Sequence, residues 1–87
     1  MNPTTTMRIL FFSVLKDVTG VAELDWEINA DESLTVASLL GKLRERFPGL
    51  SEWQDRLLVA VDLVYAKPDQ PICAGQEVAL MPPVQGG

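Results

Sequence analysis

Histidine is absent from this chain of 87 residues, and cysteine occurs once, at Cys73. Imidazole acid and base chemistry is therefore unavailable, a disulfide within the chain is impossible, and a zinc site of cysteines and histidines cannot be assembled. Cys73 stands between Pro71-Ile72 and Ala74. That setting reads as a small buried hydrophobe or turn residue rather than a nucleophile or sulfur carrier. Long hydrophobic runs are missing too, so no stretch approaches the length of a membrane span. The opening Met1-Asn2-Pro3-Thr4-Thr5-Thr6 has neither the basic residues nor the apolar segment of a secretory signal, which points to a cytoplasmic protein. Positive charge is scarce: twelve acidic residues stand against seven basic ones, for a net charge of -5. Nucleic acid and anionic membranes should repel such a chain, while basic grooves on protein partners should attract it.

What is present suffices for one domain with one core and two packed layers. Residues 1–6 read as a mobile arm, 7–81 as the folded domain and 82–87 as an extended tail. Met7 to Val14 is apolar on both alternating sets, the pattern of a central strand covered on both faces. If only one helical layer exists, Phe12 or its neighbours either stay exposed as a partner-binding patch or fill a minor core. Lys16-Asp17-Val18-Thr19-Gly20 reads as a hairpin connection. Val21 to Ile28 follows as a half-buried edge strand, with Ala22, Leu24, Trp26 and Ile28 inward. Glu23, Asp25 and Glu27 share its wet face, where solvation explains them better than a metal does.

Thr35 is a plausible N-cap for a helix from Val36 to Phe47, in which Val36, Leu39, Leu40, Leu43 and Phe47 recur at helical spacing. Pro48-Gly49 stops it. Burial of those side chains is worth on the order of 1.5 to 3 kcal/mol each before entropy, which makes this helix the main core element. Lys42 and Arg46 are placed to hold an anion together, or simply form a solvated face. Trp53 reads as cover over the core or as an aromatic ligand site. A third strand at Arg56–Asp62, a short fourth near Leu63–Ala66 and a last strand up to Met81 complete an α+β order. Ala74-Gly75 suits a residue at positive φ. The first and last long strands can lie parallel at the centre of a mixed sheet.

The most informative stretch is Glu77-Val78-Ala79-Leu80-Met81-Pro82-Pro83-Val84-Gln85-Gly86-Gly87. Proline has no amide proton for a sheet ladder and fixes φ, so Pro82-Pro83 should turn the chain off the sheet in extended form. At about 3.3 to 3.6 Å per residue the tail then reaches roughly 20 Å. Gly86 and Gly87 have no side chains, so the end can thread where a methyl group would collide. It offers an accessible carboxylate, which becomes an electrophile once activated as an acyl adenylate.

These runs resemble the ubiquitin-like sulfur carriers of the β-grasp family, most closely the branch of molybdopterin synthase small subunits. The similarity spans Met7 to Gly87. Its strongest piece is Gly75 to Gly87, against a family pattern D-G-D-E-V-A, two apolar residues, P-P-V, a variable residue and G-G. Arg8-Ile9-Leu10-Phe11-Phe12 with Val14-Leu15-Lys16-Asp17 and Gly20, Leu34 to Leu39, and Val59-Ala60-Val61-Asp62 match further segments. Asp62 stands where asparagine is usual, Ala74 and Gln76 replace aspartates, and Lys16 replaces a common arginine.

The resemblance implies a β-grasp fold, a mixed sheet with one main helix packed across it. It also implies that an E1-like adenylyltransferase uses ATP to adenylate Gly87, and that a sulfurtransferase then converts the adenylate to a thiocarboxylate. The tail of Pro82, Pro83, Val84, Gln85, Gly86 and Gly87 would enter a channel in the large subunit of molybdopterin synthase and give its sulfur to cyclic pyranopterin monophosphate. Phe12, Lys16 and Met81 would meet that partner, which would bring the catalytic side chains. No cofactor or metal would be bound permanently. Rival readings are a carrier for thiazole synthesis or tRNA thiolation, a ubiquitin-like modifier joined through Gly87 to lysines, and a plain interaction module whose tail does nothing.

Overall fold

The computed structural model describes residues 4–29, 34–53 and 56–83. Its elements are β1 (Thr4–Phe11), α1 (Leu15–Thr19), β2 (Glu23–Asn29), β3 (Leu34–Thr35), α2 (Val36–Arg46), a 3-10 helix (Pro48–Glu52), β4 (Leu58–Val61), β5 (Val64–Tyr65), β6 (Pro71–Ile72) and β7 (Glu77–Met81). The main sheet has the order β2-β1-β7-β4-β5, and β3 pairs with β6 as a separate ribbon. β1 and β7 are parallel at the centre, while β2 and β4 flank them antiparallel. This is the expected α+β, β-grasp arrangement, with α2 across one face of a mixed sheet.

Among the described residues, only that face is covered by a helix. Met7, Ile9 and Phe11 of β1, Val78 and Leu80 of β7, and Val59 and Val61 of β4 are buried against Val36, Leu39 and Leu43 of α2. Arg8 on the alternate set of β1 is exposed and Leu10 half-buried. The apolar character of both sets of β1 therefore does not mean two covered faces, because the chain supplies a single helical layer.

The sequence pattern explains why α2 starts and ends where it does. Thr35 is its N-cap, in a capping box: Thr35 Oγ1 accepts the Ser38 amide at 3.2 Å and Ser38 Oγ accepts the Thr35 amide at 2.8 Å. The next two orphan amides find carbonyls on the loop before β6, Val36 N–H to Gln70 at 3.0 Å and Ala37 N–H to Pro68 at 2.9 Å. The β3–β6 ribbon brings that loop to the helix start, through the pairs Leu34 with Ile72 and Thr35 with Pro71. At the other end, Phe47 packs edge-on to Phe11, with ring centroids 5.8 Å apart.

Several sequence expectations need correction. β1 begins at Thr4, so Thr4, Thr5 and Thr6 of the supposed arm are strand, in register with Asn29, Ile28 and Glu27. Residues 16–20 are not a simple hairpin loop: Leu15 to Thr19 form a helical turn because Leu15 is drawn fully into the core, and Gly20 closes it at φ 83. β2 starts at Glu23, which leaves Ala22 exposed, while Leu24 and Trp26 are half-buried and Ile28 buried. After Phe47 the chain forms a 3-10 helix, Pro48–Glu52, and the third strand is confined to Leu58–Val61. Cys73 is exposed rather than buried, since Ile72 takes the inward position and Cys73 opens a turn in which its carbonyl accepts the Gln76 amide at 3.2 Å.

Candidate functional site

The tail leaves the sheet from its middle. β7 runs parallel to β1, so Met81 ends at the level where β1 has just passed Phe11. The Phe12 amide donates to the Leu80 carbonyl at 3.1 Å, which carries the ladder one step further and sets Phe12 beside Met81. Pro82 and Pro83 follow, both half-buried and outside any strand. A proline pair at this point has no amide to give β1 or β4, so the ladder stops there. Val84, Gln85, Gly86 and Gly87 lie outside the described residues.

The uncovered sheet face is apolar around this exit. Residues paired directly across neighbouring strands share a face, and the pairs Leu10 with Ala79, Ala79 with Ala60, and Met81 with Leu58 place all five on the side away from α2. Tyr65, opposite Ala60, extends the row to the sheet edge and is 69% exposed. Phe12, at 46% exposure, is the exposed large apolar side chain beside Met81. Ala60 is buried and Leu10, Leu58, Ala79 and Met81 are half-buried, and with the exposed Phe12 and Tyr65 they have the composition of an interface core.

Lys16 joins this end from α1. Ser13 takes φ 59 just after Phe12, and the Leu15 amide bonds back to the Phe12 carbonyl at 3.1 Å, so α1 starts directly beside the exit of β7. Leu15 anchors that helix while Lys16 faces solvent. The structure thus brings Phe12, Lys16, Met81, Pro82 and Pro83 to one end of the sheet. Leu10, Leu58, Ala60, Tyr65 and Ala79 share the face without having been singled out in the sequence. The strand period was the available signal, because Leu10 has the parity of Phe12 and Ala79 that of Met81.

Charge borders the patch on its far side. Glu23, Asp25 and Glu27 of β2 lie on the same face opposite Leu10, Arg8 and Thr6, and Arg8 sits in register between Asp25 and Glu77. The Arg8 Nε to Asp25 Oδ1 separation is 4.0 Å with both side chains more than half exposed, so the pair adds little stability. Of the two alternatives left for the basic residues of α2, Lys42 and Arg46 do share one face, directed toward β2, with the Arg46 guanidinium 6.0 Å from the Trp26 ring. Trp53 is half-buried against the core. Among the described residues no helix is long and apolar enough to cross a membrane.

Residues 9–87 match the family model described as the ThiS family. A molybdopterin synthase sulfur carrier subunit of Dictyostelium discoideum is 35% identical over 82 residues, covering 92% of this chain and 94% of that protein. Among solved structures, SAMP1 of Haloferax volcanii superposes with a TM-score of 0.77 at 28% identity, over 94% of this chain and 99% of its own. A chain in the complex of subunits 1 and 2 of the molybdopterin-converting factor of Helicobacter pylori does so with a TM-score of 0.62 at 26% identity, over 94% of this chain and 99% of its own.

Proposed function

Because the chain belongs to the ThiS family, and its curated relatives are sulfur carrier subunits of molybdopterin synthase, we propose that it is a sulfur carrier of molybdenum cofactor biosynthesis that works through Gly87. The observation that carries this reading is the coincidence of the tail exit with the apolar sheet face: Pro82-Pro83 depart beside Phe12 and Met81. A partner that covers this face receives the tail in the same docking event. The double proline lowers the entropy lost on insertion, since two φ angles are already fixed.

The chemistry assigned to the chain is simple because it has few groups to do more. The Gly87 carboxylate is adenylated at the expense of ATP by an E1-like activating enzyme, a sulfurtransferase exchanges AMP for sulfur, and the thiocarboxylate is offered to the pterin inside the large subunit. Gly86 supplies clearance in the channel, and Val84 and Gln85 belong to the tail that enters it. The Helicobacter pylori complex of subunits 1 and 2 supports a large-subunit partner of this kind. The cytoplasm, where ATP is at hand, is the compartment this scheme requires.

A second reading has one observation in its favour, the likeness to Haloferax volcanii SAMP1, of which another structure is described as a small archaeal modifier protein. There Gly87 would be joined to lysines of other proteins. Intact mass of the protein taken from cells with its native terminus separates the two. A fraction heavier by one oxygen-to-sulfur exchange, lost when Gly86 and Gly87 are deleted, is the expected result. Its absence in the presence of activating enzyme and sulfur donor, with Gly87 instead found in isopeptide linkage, would overturn the carrier reading.

A further inference from the structure

β2 is an edge strand, and on the side away from β1 it borders an open groove of about 700 Å³ whose other wall is α2. The groove runs between residues 25–28 and the helix residues Lys42, Glu45 and Arg46. It lies away from the tail exit and from the β4–β5 edge, and the sulfur chemistry makes no use of it.

The backbone along the strand is presented for pairing. The Phe11 amide donates to the Ala22 carbonyl at 2.8 Å, so that pair is hydrogen-bonded, and by alternation so are Ile9 with Leu24 and Met7 with Trp26. The amides and carbonyls of Asp25 and Glu27 therefore point outward, into the groove. An extended segment laid there would continue the sheet.

Charge selects which segment. On the outer face an added strand would run beside Glu23, Asp25 and Glu27, all exposed. On the inner face its side chains would stand over Trp26 and Ile28, facing Lys42 and Arg46, with Glu45 between them leaving that wall net positive. Lys42 and Arg46 have no ion pair among the described residues; Arg46 rests on aromatic faces, 6.0 Å from Trp26 and 5.6 Å from Phe47. A second copy of β2 is a poor occupant, since antiparallel pairing would set carboxylates against carboxylates. We infer that this groove takes an extended peptide of a partner protein by strand addition, one whose side chains alternate basic toward the β2 carboxylates and acidic toward Lys42 and Arg46.

The test is titration of the isotope-labelled full chain with a short synthetic peptide that alternates lysine and glutamate. The control is a peptide of the same composition with its lysines and glutamates in separate blocks. Shifts and slowed exchange at the Asp25 and Glu27 amides are expected, with binding about tenfold weaker for the block peptide and for Glu27→Lys or Lys42→Glu, the sum of a few cross-strand charge pairs. Those side chains are exposed, and an unchanged circular dichroism spectrum shows that the variants fold. Equal binding of both peptides, perturbation at Phe12 and Met81 instead, or self-association through β2 would each overturn the inference. None of these readouts involves Gly87 or sulfur, so failure here leaves the carrier function standing.

Discussion

Gln76 ties Asp62 to Cys73: its Nε2 donates to Asp62 Oδ2 at 3.1 Å while its Oε1 accepts the Cys73 amide at 2.7 Å. Asp62 also accepts the Glu77 amide on Oδ1 at 3.0 Å, and holds φ 49 in the turn between β4 and β5. Asp62 and Gln76, two of the departures from the family pattern that the sequence resembles, are bonded to each other. An ionised aspartate cannot donate, and the glutamine amide supplies the donor.

Replacement of Asp62 by alanine removes two acceptors and leaves an ordinary residue in the left-handed region. A loss of about 1 to 2 kcal/mol is expected, from the strained φ and the missing hydrogen bonds. Asp62→Asn keeps an acceptor for the Glu77 amide and tolerates that φ but sets its own NH2 against the Gln76 Nε2 donor, so a smaller loss of about 0.5 to 1 kcal/mol is expected. Urea unfolding of the two variants decides it, and equal losses would contradict the assigned role of the side chain.

The apolar sheet face should govern association with the large subunit and leave folding largely alone. Phe12→Asp and Met81→Asp are each expected to weaken that complex by about 2 kcal/mol or more, roughly 30-fold in Kd, as removal of a central aromatic or aliphatic anchor does. Phe12 is 46% exposed, so its substitution should leave the melting temperature nearly unchanged. Calorimetric titration with the large subunit measures the first effect, and thermal unfolding the second.

Gly49 is held small by α1. A Cβ at that position would sit 2.9 Å from Val18 Cγ1, a stiff branched side chain packed against the core. Gly49→Ala should therefore cost about 1 kcal/mol net, with overpacking outweighing the entropy removed from the unfolded chain. Val18→Ala in the same chain should relieve the clash. A double-mutant cycle by denaturant unfolding will show coupling if the contact is real.

Leu63 follows Asp62 at φ 71 and is 89% exposed. A leucine gains nothing from packing there and bears the left-handed penalty, so Leu63→Gly should stabilise the domain by about 1 kcal/mol. A lower urea midpoint in the glycine variant would mean that Leu63 makes contacts that offset its strain.

The helix, its Thr35 cap and the positive φ of Gly75 were all legible in the chain. Each is dictated over a few neighbouring residues, by apolar spacing, a hydroxyl at the right offset or a missing Cβ. The proline pair and the glycine end belong to the same class, and the sulfur chemistry proposed for Gly87 still rests on them, since Val84 to Gly87 lie outside the described residues. What no local pattern could supply was which side of β1 would be covered, because that depends on the number of helical layers brought back over the sheet. The same holds for the α1 turn, settled by the pull of Leu15 into the core, and for the exposure of Cys73, settled by Ile72 taking the inward place. The bond between Asp62 and Gln76 and the groove between β2 and α2 are likewise tertiary. Their partners are far apart in sequence, and only the packing of the sheet and helix determines that they meet.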